Sequence, residues 1–152
     1  MDSSDQIAKM VDGKHPRHLG REAVFQALYS QYISNENEAK ILHDILGRYD
    51  FDKEVEQYVT NLFYRAVENK NYIVETITKY LENWEWSRVA LLDRLILQMA
   101  TAELFYIDDV PPKVTIAEAI EIAQQYSTSD SSAFVNGIMD AIYKEQKRTE
   151  DS

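Results

Sequence analysis

The chain has 152 residues, of which 45% are hydrophobic and 28% charged. That balance fits one globular domain and excludes a disordered chain. Cysteine is absent, which removes disulfides, thiolate metal sites and thiol nucleophiles and suits a reducing cytoplasm. The formal net charge of -10 speaks against broad polyanion binding, because affinity for phosphates is drawn from Lys and Arg.

No apolar run approaches the roughly 20 residues that cross a bilayer, and the N-terminus is polar and acidic where a secretory signal is basic and then apolar. A protein that is neither exported nor embedded is expected. Gly (4) and Pro (3) are scarce, which points away from a turn-rich β fold and towards an all-α one.

In chain order, residues 1–13 lack periodicity and read as a tail. A first helix is expected from Arg17 to Ile33, with Val24, Ala27, Leu28 and Gln31 on one stripe. At about 100° per residue, His18, Arg21, Phe25, Tyr29 and Tyr32 fall on a neighbouring face. Next come a short helix near 36–48 and a cap at Asp50-Phe51-Asp52. A helix carrying Val55, Tyr58, Val59, Leu62 and Ala66 follows, then one carrying Ile73, Ile77, Tyr80 and Leu81, with a break near Asn69 to Asn71. Ser87 is expected to cap the most apolar helix, which bears Leu92, Leu95, Ile96, Met99 and Ala102 and reads as central. After Pro111-Pro112, Thr115 and Glu118 match a capping box. Ser127 to Asp130 reads as a loop before a last helix with Val135, Ile138, Met139 and Ile142, and 148–152 read as a tail. The expected domain therefore runs over residues 14–147.

The residues offer no support for catalysis. There is no Gly-rich phosphate loop, nucleophile elbow or HExxH. His15 and His18 sit among Lys14, Arg17 and Arg21, where cations oppose a bound metal. Asp108-Asp109 reads as a solvated turn. Neither an enzyme, a metal nor a cofactor is expected.

Two stretches suit binding. Lys14 to Arg21 concentrates positive charge in an acidic chain, as a phosphate contact requires. Beside it, Phe25, Tyr29 and Tyr32 suit base stacking, a protein interface or plain core packing. The other stretch, Ser129 to Gly137, sets Phe134 after a polar loop. It also places Asn136 and Gly137 in the first turns of a helix, where glycine costs up to about 1 kcal/mol relative to alanine. A close approach at Gly137 is the expected reason.

Three blocks then carry a family resemblance: Arg21-Glu22-Ala23-Val24-Phe25-Gln26-Ala27-Leu28-Tyr29, Asp93 to Leu104, and Val110 through PPKVTIAEAIEIAQQYS to Phe134-Val135-Asn136-Gly137-Ile138-Met139-Asp140. In order and spacing they resemble the NusB family of bacterial transcription antitermination factors, from about residue 17 to 146. The resemblance implies about seven helices in two small packed bundles. It further implies binding to boxA-type RNA of ribosomal RNA leaders as a heterodimer with the ribosomal protein NusE, within an RNA polymerase complex with other Nus factors.

By position, the resemblance puts Arg17 and Arg21, with Lys14 and His18 in the same segment, on RNA phosphates. It sets Phe134 and the Asp130 loop, with neighbouring Asn136, beside RNA bases, and Tyr29 and Asp93 with adjacent Phe25 on NusE. Pro16, His18, Leu19 and Gly20 interrupt the arginine run of many relatives, and Gln98 replaces a frequent basic residue. The alternatives are a protein-only adaptor or homo-oligomer, including a homodimer of the free chain, and a stand-alone relative of the RNA-binding domain of ribosomal RNA methyltransferases.

Overall fold

A computed structural model describes residues 16–82 and 84–151. Among these are seven α-helices, one 3-10 turn and no strand. The expected tail at 1–13, with Lys14 and His15, lies outside the described residues. Contacts divide the chain into two units, one ending at Phe63 and the other starting at Tyr64.

In the first unit, α1 runs Pro16–Ile33. Proline suits a first helical turn, where its missing N–H has no acceptor to lose. Of the expected stripe, Val24, Ala27 and Leu28 are buried, while Gln31 is only half-buried. Burial also extends without a break from Gly20 to Phe25, more than one stripe can account for. Helix α2, Glu38–Leu46, starts where Asn37 Oδ1 accepts from the Ala39 N–H at 2.8 Å, and it packs on α1 through a face bearing Ile41, Leu42 and Ile45. Helix α3 runs Lys53–Glu68. Asp52 Oδ1 accepts from the Val55 N–H at 2.9 Å, so the expected cap is present. Val55, Tyr58, Val59 and Leu62 then point inward.

In the second unit, α4 (Lys70–Thr78) follows the expected break at Asn69. Helix α5 (Leu91–Tyr106) is central: every residue from Leu95 to Glu103 is buried, and α4, α6 and α7 all pack on it. Two of its buried polar side chains are accommodated by hydrogen bonds to other parts of the chain. Gln98 Nε2 donates to the Ala66 carbonyl at 3.0 Å, and Thr115 Oγ1 donates to Glu103 Oε1 at 2.7 Å. Helix α6 spans Pro112–Tyr126 and α7 Ser129–Asp151.

Four local expectations change. Ser87 lies inside the 3-10 turn Trp86–Arg88, and α5 begins after Ala90 with no side-chain cap. The capping box at Thr115 and Glu118 does not form, because Pro112 already opens α6 and the Thr115 hydroxyl is spent on Glu103. Thr128 Oγ1 accepts from the Ser131 N–H at 3.1 Å, so the expected loop shrinks to a cap. Finally, α7 continues to Asp151 through the segment read as a tail.

Candidate functional site

The basic segment becomes the first turns of α1. Arg17 Cζ lies 4.5 Å from the ring centroid of Tyr58 on α3, and Arg21 Cζ lies 5.5 Å from the same centroid. Both fall within cation–π range. His18 Nε2 is 3.2 Å from Glu22 Oε1, one helical turn on. His18 and Arg21 are only 2% and 4% exposed, while Arg17 is half-buried with part of its surface in solvent. Of the residues expected on phosphates, Arg17 is the described one with outward reach. Gly20 does not merely interrupt the arginines: a Cβ there would sit 3.2 Å from Val59 Cγ2 and 3.3 Å from Tyr58 Cδ2.

The aromatic face of α1 divides along its length. Phe25 is buried in the core, which removes it from a partner surface, whereas Tyr29 and Tyr32 are exposed together with Ile33.

In the second unit, Asp93, Asp130 and Phe134 line one cavity of about 370 Å³. The sequence reading assigned these three to two different partners, and the fold brings them together. Trp84, Arg88, Val89, Ala90 and Ser131 complete the lining. Trp84 is 60% exposed and Arg88 is exposed, so the cavity has an aromatic and a cation at its rim. Neither was picked out from the sequence, although two tryptophans in the run Trp84-Glu85-Trp86 before a basic residue were a usable signal.

Asp93 forms the buried floor, 6% exposed. Ser131 Oγ donates to its Oδ2 at 3.1 Å, while among the described residues Oδ1 has no hydrogen-bond partner. Burial pushes its pKa above the ordinary carboxylate value, against the opposing pull of the Ser131 and Ser127 hydroxyls. The serines therefore offset only part of the desolvation, and Oδ1 stays buried with its hydrogen-bonding capacity unmet among the described residues.

Asn136 and Gly137 are exposed on α7. A Cβ at Gly137 would meet nothing within 4 Å, so the close approach expected at this glycine is not made within the chain. Gln98 is a core residue, which explains why a basic side chain is dispensable there. A larger groove of about 520 Å³, lined by Tyr72, Tyr80, Phe105 and Tyr106 among others, contains none of the residues the sequence marked for binding. No described helix is long and apolar enough to cross a membrane.

The NusB family model matches residues 18–144. A protein of Chloroherpeton thalassium called transcription antitermination protein NusB is 41% identical over 128 residues, covering 84% of this chain and 61% of that protein. The chain thus spans less than two thirds of that relative. The protein of the same name from Nitratiruptor is 39% identical, over 86% of this chain and 94% of its own length. Among solved structures, Thermotoga maritima NusB superposes with a TM-score of 0.78 at 41% identity, covering 87% of this chain and 93% of that one. A structure of the antitermination factors NusB and NusE with double-stranded RNA gives a TM-score of 0.77 at 24% identity, over 86% of this chain and 97% of that one, and speaks for the fold alone. With the family model covering most of the chain and close relatives agreeing over nearly their full length, the chain belongs to the NusB family.

Proposed function

We propose that this chain is a transcription antitermination factor that binds boxA-type leader RNA together with NusE and joins an RNA polymerase complex with other Nus factors. The observation that carries the reading is the cavity in which Phe134 and Trp84 offer flat apolar faces and Arg88 a cation above the buried Asp93 carboxylate. Aromatic faces and arginine suit unstacked bases and their phosphates. The fold shared with a NusB found beside NusE and RNA adds support.

Arg17 and Lys14 supply phosphate contacts in this reading, while Phe134, Asp130 and Asn136 meet the bases. Tyr29 and Asp93 meet NusE. His18 and Arg21, being buried, act from behind Arg17. With a net charge of -10, the chain has few cations to spend on RNA, so a partner that brings its own is part of the proposal.

The test is co-purification with NusE, followed by titration of the pair with boxA and scrambled RNA across a salt series. Preferential boxA binding that weakens steeply with salt supports the reading. Binding of NusE with equal, salt-insensitive affinity for both RNAs returns the chain to a protein-only adaptor. The exposed Tyr29, Tyr32 and Ile33 patch favours that second reading.

A further inference from the structure

Two arginines of α1, four residues apart, converge on a single ring of α3. That spacing places both side chains on one face of the helix, and both Cζ atoms lie within 5.5 Å of the Tyr58 centroid. Tyr58 is 5% exposed, so its ring is fixed by packing and offers the guanidinium groups a constant surface. Gly20, between the two arginines, allows the approach: any side chain there enters the van der Waals shell of Tyr58 and Val59. Depth differs within the pair, because Arg21 is buried and Arg17 reaches solvent.

A guanidinium held within cation–π range of a ring that packing fixes has less rotamer freedom to lose when it meets a phosphate. We infer that Tyr58 is a positioning residue for RNA binding, its buried ring holding the Arg17 guanidinium in the orientation in which it meets an RNA phosphate. Tyr58 itself touches no nucleotide. The inference rests on the proposed RNA role of α1.

The experiment uses the full chain with NusE and boxA RNA. Wild-type binding must first weaken with salt; its failure to do so would overturn the RNA reading and this one with it. Given that binding, Tyr58→Phe, which keeps the ring face, retains wild-type affinity. Tyr58→Leu and Tyr58→Met, which keep apolar bulk without a ring, lower affinity about three- to thirtyfold, the range expected for a cation–π contact. Arg17→Gln lowers it too, and reduces the salt slope by about one.

The deciding readout is the double variant. If Tyr58 acts through Arg17, Tyr58→Leu costs nothing further once Arg17 is Gln. Additive losses, or a folded Tyr58→Leu protein that binds like wild type, overturn the inference and leave Tyr58 as packing. Should neither ringless variant fold, NMR relaxation of the Arg17 side-chain Nε–H in the wild-type protein decides. An ordered guanidinium supports the inference, and a freely reorienting one overturns it.

Discussion

The two regions that the sequence marks for binding are built in opposite ways. At the start of α1, polar groups are packed against the chain: Arg21 is buried and, with the half-buried Arg17, lies against Tyr58, His18 faces Glu22, and Gly20 brings the helices together. Around Phe134 the surface is open: Trp84 and Arg88 are exposed, Asn136 faces solvent, and no described residue comes within 4 Å of a Cβ at Gly137. Similar sequence features, a glycine within a helix beside a charged or aromatic residue, thus have different causes. One glycine is required by internal packing. The other is required by nothing within the chain.

The widest separation comes from substituting into the closed region. Gly20→Val adds a branched side chain against Tyr58 and Val59, both buried, which have little room to yield. A loss of about 2–3 kcal/mol is expected in denaturant unfolding. Retention of full stability would break the comparison at its firmest point. Next in size, Phe134→Ala should weaken RNA binding by about 1–3 kcal/mol if the ring stacks on a base. Thermal unfolding verifies that the variant stays folded, and an unchanged affinity removes Phe134 from the RNA surface.

What the sequence disclosed follows the range of the interactions involved. The stripes of α1, α3 and α5, the Asp52 cap and the break at Asn69 depend on neighbours within a few residues, and they stand as read. The start of α6 was misread because Thr115 has the local pattern of a cap, while its hydroxyl is claimed by Glu103, twelve residues away. The same holds for the site. The stretch around Phe134 was legible as a local composition, but its meeting with Asp93 requires the packing of α7 on α5, and Trp84 joins only through the turn preceding α5. Burial of Arg21 was equally out of reach, and for Phe25 core packing stood beside an interface with nothing local to choose between them. Helical spacing assigns a residue to a face and does not say what covers that face.

Gly137→Ala sharpens the open side of the comparison. Its Cβ meets nothing within 4 Å, so the helix gains about 0.5–1 kcal/mol from the better propensity of alanine. Denaturant unfolding should register that gain, opposite in sign to the loss at Gly20. Titration of the same variant with NusE and RNA then reports whether a partner exploits the bare backbone: weaker binding alongside greater stability means that it does. If stability falls instead, the surface at Gly137 is covered from within the chain, and the two regions are less different than they look.

The smallest effect concerns Asp93. Burial raises its folded-state pKa above the value of 3.8 for an exposed carboxyl, so between those two values the folded chain holds a proton that the unfolded chain has released. This group's contribution to stability therefore falls as pH rises through that window, the reverse of a salt-bridged aspartate. Asp93→Asn mimics the protonated form. Its unfolding free energy should match wild type below pH 3.8, exceed it by a margin that grows through that window, and keep a constant margin above the folded-state pKa. If NusE places a donor on Oδ1, as proposed, that donor favours the charged form, and in the complex the advantage of the asparagine should disappear or reverse. A gap that is constant through that window would mean that Asp93 is already satisfied in the free chain. The cavity floor would then be as closed as the cluster on Tyr58.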